Sequence, residues 1–470
     1  MLRITHPSGF APEREYILRV ILGEWLGLDY VLQEGAERCV TIELAAVPDG
    51  KRIELSDVLF KCPQDQWLTS RSMPGQELDV WECPPELQAL DNRLPVLYGE
   101  RLANGGFLLC DQNRIACGVD VFGSALFMLT RYEELVRSER DSYDRFTAEM
   151  SLAGRQGFLE RPIVNEYVEL LWWLLKQQWP RLERRKRQYR CLLSCDVDNF
   201  AILGASPWRA LRTIAGRFIR AKNFQRGANA AKQFFRGWQG MAGCDPLDNF
   251  DFMMEQAETH GLRFSFNLIA GHTDKTKDGI YSVRRRGIQR LMRRIHVRGH
   301  ELGFHGSFHT HRYPERIRRE FGQLHAAAAT AGVEQNSWGG RQHYLRWHAP
   351  TTWQAYADAG LRYDSTVGFA DRAGFRSGTC YEHTVFNLKA RRSLPITERP
   401  LVAMERTLMA PEYMALSPAA AVEKVGRLAD RCRHFNGDFT LLWHNCQTQS
   451  YELRQAFVTA LGLAAKPAVA

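Results

Sequence analysis

Residues 191–198 read "CLLSCDVD", a short apolar run that finishes on two carboxylates, Asp196 and Asp198. Its length and its polar surroundings predict a buried strand. Immediately before it, "RLERRKRQYR" (Arg181–Arg190) is too charged for a core, and the domain boundary is placed there, at 185/186. Beyond the strand, short apolar segments ("FSFNLIAG", "HELGFHG", "FTLLWHN") alternate with helical patterns ("FDFMMEQAETHG", "RRGIQRLMRRIHVRGH", "PTTWQAYADAGL"). Such alternation predicts a mostly parallel sheet or barrel over 186–470. Upstream, apolar positions at helical spacing between about Arg14 and Leu26 precede the alternating "CVTIELA", and "VFGSALFMLTRYEELVRS" and "PIVNEYVELLWWLLKQQW" each predict a long helix. Residues 1–185 therefore read as a smaller α/β domain to which the sequence assigns no role.

With 470 residues and 45% hydrophobic content, both domains can bury a core. The opening "MLRITHPSGFAPEREYILRV" has no signal-type apolar segment, and "LLWWLL" (Leu170–Leu175) is far shorter than the roughly 20 residues that span a bilayer. Eleven cysteines lie scattered without a C-x-x-C pair, which fits reduced thiols and argues against thiolate-bound zinc. The expected location is cytoplasmic, free or peripheral on the inner face of the membrane. Of the net charge of +9, eight Lys or Arg fall between 207 and 240 with no Asp or Glu, interleaved with Trp208, Phe218, Phe224, Phe234, Phe235 and Trp238. The plain reading of this insertion, at about 205–242, is a solvated helical hairpin. The functional one is a basic amphipathic element that meets an anionic membrane surface through 207–240. No nucleic-acid partner is expected, because no recognition module is visible.

In α/β barrels functional side chains collect where strands end. Here those ends supply Asp196 and Asp198, then His305 and His309 in "ELGFHGSFHTHR" (Glu301–Arg312), Arg341 and Arg346 in "NSWGGRQHYLRWHAP", and His444. Carboxylate and imidazole donors suit zinc, cobalt, nickel or iron. A divalent ion polarises a carbonyl and brings a water's pKa toward neutrality, which amide or ester hydrolysis requires. Taken singly, D-x-D after a strand is more often a turn or cap element and H-x-x-x-H is weak. Their joint occurrence, in order, carries the reading.

On these residues the chain resembles the polysaccharide deacetylase (NodB-homology) family over about Cys191–Cys446. "LRYDSTVGFADRAGFRSGT", "DVFGSALFMLTRYEE" and "RPIVNEYV" resemble a bacterial subgroup with an extra N-terminal domain more than secreted chitin or peptidoglycan deacetylases. The resemblance implies an irregular (β/α) barrel that removes N-acetyl groups from a saccharide or its precursor in surface polysaccharide biosynthesis. It implies Asp196 as general base, Asp198, His305 and His309 as ligands of one divalent ion (zinc foremost), Arg341 as the group that orients the base, and His444 as proton donor to the amine. Val197 separates the two aspartates, Gly306 stands where Ser or Thr is usual, His343 takes a proline position, and the family's tryptophan motif is not recognisable.

Substrate contacts are assigned to Tyr344, Arg346, Asp364 and Arg376, with turn chemistry and ion pairing as the plain alternatives. His311 reads as a solvated neighbour, and Arg131 as paired to a nearby carboxylate. The expected substrate is a saccharide, free or nucleotide- or lipid-linked. The alternative is a catalytically weak barrel serving as a carbohydrate-binding or scaffolding subunit at the membrane surface; a third reading is another amide hydrolase with a non-sugar substrate.

Overall fold

Strand propensity and alternating burial at the start of the chain give β1 (Leu2–His6), β2 (Tyr30–Glu34), β3 (Val40–Leu44, within "CVTIELA"), β4 (Arg52–Leu55), β5 (Asp79–Glu82), β6 (Arg93–Val96), β7 (Leu108–Cys110) and β8 (Arg114–Cys117). The computed structural model describes residues 1–45, 50–200, 248–279 and 281–467. The basic insertion expected at about 205–242 lies outside them. Six of these strands form one sheet in the order β2-β1-β3-β4-β8-β7, and β5 pairs with β6. The helix expected between Arg14 and Leu26 runs as Ala11–Leu18 and continues as a π-helix over Arg19–Trp25. Its buried face reaches the second half of the chain: Tyr16 Oη donates to Thr384 O (2.9 Å) and Trp25 Nε1 to Glu382 O (3.0 Å).

One expectation is corrected here. The long helix read from "VFGSALFMLTRYEELVRS" is two, Val121–Leu129 and Tyr132–Val136, interrupted at Arg131 with φ of 54°. The break turns the Arg131 guanidinium inward, where it donates to Glu134 Oε1 (2.8 Å), to Glu133 Oε1 (2.9 Å) and to the carbonyl of Arg376. Arg376 in turn grips Glu134 with two bonds of 2.9 and 2.5 Å. All four side chains are buried, so this charge cluster ties the N-terminal region to the rest of the chain. Around it one continuous hydrophobic core runs from Leu2 to Ala464.

The second half holds β9 (Arg190–Val197), β10 (Phe264–Ile269), β11 (Glu301–Gly306), β12 (Gly339–Gln342), β13 (Tyr363–Asp364), β14 (His383–Asn387), β15 (Arg392–Glu398), β16 (Ala403–Met404) and β17 (Asp438–Leu442). They form a nine-stranded sheet in the order β14-β15-β13-β12-β11-β10-β9-β17-β16, parallel except for β14. The predicted helices appear between them, among others Phe250–Glu258, Arg286–Val297 and Thr351–Ala359. On Arg286–Val297 the buried residues Ile288, Leu291, Met292 and Ile295 keep helical spacing.

The sheet cannot be flat. β15 and β16 stand seven strand spacings apart in it, about 34 Å if laid out at the usual separation. Yet only five peptide steps join Glu398 to Ala403, and those reach at most ~18 Å. The sheet therefore curls into a half-barrel, and the crossing chain closes the gap: Leu401 N–H donates to Val367 O (3.1 Å) and Val402 N–H to Thr440 O (3.2 Å). The expected barrel is thus an open, curled sheet completed by irregular chain. Among the described residues no helix is long and apolar enough to cross a membrane.

Burial raises the Glu134 carboxyl, but Arg376 and Arg131 outweigh it and hold it at about 2. Glu134→Gln leaves two buried guanidinium groups short of a partner, and the expected loss is roughly 3 kcal/mol at neutral pH by denaturant unfolding. Because the folded value lies below the unfolded one, the Glu134 contribution is complete above the ordinary carboxylate range and fades toward pH 2. The gap between wild type and variant therefore narrows as pH falls through that window.

Candidate metal centre and active site

Side chains two apart on a strand face the same way, so Asp196 near the end of β9 and Asp198 just past it both project into the concave side of the half-barrel. Parallel register sets their neighbours: Asn267 on β10 stands opposite Asp196, and His305 on β11 opposite Arg341 on β12. His343 follows Arg341 by two, just beyond β12, and His444 lies two past β17, beside β9. Asp196, Asp198, His305, His343 and His444 line a cavity of about 720 Å³ together with Tyr344.

Three donors converge. Asp198 Oδ1 lies 3.3 Å from His305 Nε2 and 3.3 Å from His343 Nε2. Each imidazole is held from behind: His305 Nδ1 bonds Arg341 O (2.9 Å) and His343 Nδ1 bonds Asp278 Oδ1 (3.0 Å). Those bonds place a ring proton on Nδ1 and leave Nε2 of each ring facing Asp198. Burial favours the neutral His343 ring, but Asp198 first and then Asp278 lift it to about 9, so a cation at Nε2 would displace a second proton. Asp198 Oδ1 and His305 Nε2 are buried without a hydrogen-bond partner, a costly arrangement unless a cation completes it. The edge of a tetrahedron with metal-ligand bonds of about 2.0–2.1 Å is ~3.3–3.4 Å, so the spacing fits a divalent ion of zinc size. Backing of both histidines by a carbonyl and a carboxylate is the support such ligands ordinarily have.

His309 does not join this centre. After β11 ends, Ser307 is pinned by Glu320 through its hydroxyl (2.7 Å) and its N–H (3.1 Å), and Phe308 N–H donates to Asp278 (2.7 Å). That turn carries the His309 ring outward; its side chain is 42% exposed and Nε2 lies 3.5 Å from Asp274. The third donor beside Asp198 and His305, expected from His309, is instead His343, the residue at the proline position of the motif. Gly306 has a local reason as well. A Cβ there would lie 2.6 Å from the Gln342 side-chain amide, which is fixed by Thr310 Oγ1 (2.6 Å) and Tyr356 Oη (3.2 Å).

Beside the centre stand Asp196 and His444, each held by buried partners. Asp196 Oδ1 accepts from Asn267 Nδ2 (2.7 Å) and Arg341 Nη1 (2.9 Å), and Arg341 is anchored by Ser194 Oγ (2.9 Å) and Ser365 O (2.7 Å). Burial raises this carboxyl, yet Arg341 above all, with His305 and His444, holds it below its ordinary value. His444 Nδ1 bonds the fully buried Glu405 (2.6 Å), and Nε2 points toward Asp198 Oδ2 (3.6 Å). Burial favours the neutral ring, but Glu405 first, then Asp198 and Asp196, lift it to about 9.

Of the four residues expected to touch substrate, Tyr344 lines the cavity and three do not. Arg346 lies under Phe308, its guanidinium 4.0 Å from that ring and donating to the Phe308 carbonyl. Asp364 is buried and receives the Thr366 N–H (3.0 Å), and burial pushes it up to about 7. Arg376 belongs to the Glu134 cluster. All three differ from expectation for one reason: each side chain is buried against protein partners away from the cavity. Asp278, Glu405 and Asn267 carried no sequence signal, because each acts from an element remote in the chain. His343 was visible only as a departure from a pattern.

A family of unknown function, DUF7033, matches residues 2–180. No curated protein matches the chain. Among solved structures the chain is similar to a Mycobacterium smegmatis protein assigned as a polysaccharide deacetylase, with 16% identity and TM-score 0.39 over 60% of this chain and 85% of that one. It is also similar to a Pseudomonas aeruginosa PAO1 protein assigned likewise (10% identity, TM-score 0.35, 66% and 90%) and to Puue allantoinase (12%, 0.35, 59% and 84%).

Zinc titration against a chelating indicator tests the donor set. His305→Ala and His343→Ala are expected to lose stoichiometric binding, Asp278→Asn to weaken it about 10- to 100-fold, and His309→Ala to retain it.

Proposed function

We propose that this chain is a metal-dependent hydrolase that removes the N-acetyl group from a saccharide or saccharide precursor. The observation that supports it most is the convergence of Asp198, His305 and His343, with their free donor atoms, between an arginine-held carboxylate and a glutamate-held imidazole. A divalent cation in that donor set, zinc first and cobalt, nickel or iron as alternatives, supplies Lewis acidity toward a carbonyl and a water.

The remaining chemistry belongs to the chain. Asp196 accepts a proton from the attacking water as the water oxygen bonds to the acyl carbon. Arg341 and Asn267 fix the carboxylate so that one oxygen is committed to them and the other is available to the proton. His444, whose ring proton the Glu405 carboxylate favours, gives a proton to the nitrogen as the carbon–nitrogen bond breaks. Acetate and a free amine leave. The cavity, at about 720 Å³, has the size of a ligand site rather than of a water pocket.

The sequence resemblance supports a place in surface polysaccharide biosynthesis, the scattered thiols support a cytoplasmic enzyme, and the basic, aromatic-bearing insertion 207–240 supports contact with the inner membrane face and with it a nucleotide- or lipid-linked sugar as substrate. Scattered cysteines without a disulfide among the described residues fit a reducing compartment.

Acetate release from a panel of N-acetylated sugars by the zinc-loaded chain is the deciding assay. Asp196→Asn and His444→Gln are each expected to lower kcat by about 10²–10⁴ while zinc stays bound. Glu405→Gln should fall by roughly 10–100-fold, since it orients His444 without touching substrate. Unchanged release in Asp196→Asn would overturn the base assignment.

A further inference from the structure

The cavity has a wall that comes from the N-terminal region. Ser142, Tyr143, Arg145, Thr147 and Glu149 all line it, although the strand ends that hold the centre lie beyond residue 190. Their segment is clasped to the barrel by Asp144, whose left-handed backbone (φ 60°) turns the carboxylate outward. That carboxylate receives Arg312 twice (2.8 and 2.7 Å) and meets His311 Nε2 (2.9 Å). Asp371, on the far side, accepts the Ala148 N–H (3.1 Å). The tail of the histidine-rich loop thus anchors this wall.

The clasp brings Tyr143 face to face with Tyr344, ring centroids 5.4 Å apart and 23° from parallel. Tyr344 directly follows the ligand His343, and their rings are 4.7 Å apart. Tyr344 and Leu345 both hold positive φ (61° and 55°), a costly backbone for two consecutive non-glycine residues, and it turns the tyrosine into the cavity. Over this platform sits Lys277, its Nζ 4.8 Å from the Tyr143 centroid and 5.7 Å from that of Tyr344. No carboxylate among the described residues pairs with Lys277. The other cations of the wall differ: Arg145 is held by Asp141 and Arg406 by Glu412. Glu149 and Arg372 are both exposed on the rim. An ammonium resting against aromatic faces, with no carboxylate partner, keeps N–H donors on its open side available to an oxyanion.

We infer that Tyr143, Tyr344 and Lys277 form a subsite for an anionic substituent, phosphoryl or carboxylate, carried by the acylated sugar, and that the N-terminal region is the substrate-selecting wall of the active site. This rests on the hydrolase reading above.

The test uses the full zinc-loaded chain and three probes in titration calorimetry: N-acetylglucosamine, its 1-phosphate, and the corresponding uronic acid. At least one charged sugar is expected to bind about tenfold more tightly than the neutral one, the scale of one screened charge-assisted contact. Which of the two does so identifies the anion. Lys277→Gln and Tyr143→Ala should erase most of that preference, Tyr143→Phe should restore it, and the exposed neighbour change Lys275→Gln should leave it intact. Equal affinities for all three sugars, binding of none, or a preference that survives Lys277→Gln would overturn the subsite. Zinc content and acetate release are read separately. A Lys277-dependent preference without acetate release sinks the hydrolase and spares the subsite; release from neutral sugars with no preference does the reverse.

Discussion

The half-barrel depends on a length constraint. Five peptide steps between Glu398 and Ala403 must join strands that a flat sheet would hold seven spacings apart, and the chain can satisfy this only by curling the sheet. Curling turns the C-terminal ends of β9, β11, β12 and β17 toward one axis. Asp196, Asp198, His305, Arg341, His343 and His444 all sit at or just past those ends, so a single geometric condition gathers them. Alternation along each strand does the rest, since D-x-D at the end of β9 and Arg-x-His at the end of β12 each aim two side chains inward.

Gathering charge in a buried place is expensive, and nearly every charged group in this one has an assigned partner. Asp196 has Arg341 and Asn267, His343 has Asp278, His444 has Glu405, and His305 has a backbone carbonyl. Buried without a hydrogen-bond partner are Asp198 Oδ1 and His305 Nε2, which face each other across the centre, and Glu405 Oε2 behind His444. A folded chain keeps such atoms apart from partners where another group is to occupy the space. The same economy appears at the seam between the two halves, where Arg131, Glu133, Glu134 and Arg376 neutralise one another. The N-terminal region is thus fixed to the barrel by ion pairs and by shared core, and its segment 141–149 can form a wall of the cavity.

The strand-helix alternation after residue 190 was legible, because burial on a parallel sheet writes continuous apolar runs. The helix at Ile163–Gln178 was legible from its 3.6-residue period. The break at Arg131 was not, since "MLTRYEELV" keeps helical spacing through it and only the distant Arg376 carbonyl explains the turn. For the same reason Arg376 and Asp364 read as site residues from a glycine-rich, polar stretch, while their side chains pack inward against partners that local sequence cannot name.

The amino-acid sequence by itself determined the alternation of strands and helices, the positions of carboxylates, histidines and arginine at strand ends, and hence the kind of chemistry available. Those follow from periodicity and side-chain type, which are local. Tertiary structure alone decided that His343 rather than His309 faces Asp198, that Asp278 and Glu405 stand behind the imidazoles, and that Tyr143 reaches the cavity. Each of these depends on where a turn points or on which remote element packs behind a ring, and directions in space are set by the closed network of contacts rather than by spacing along the chain.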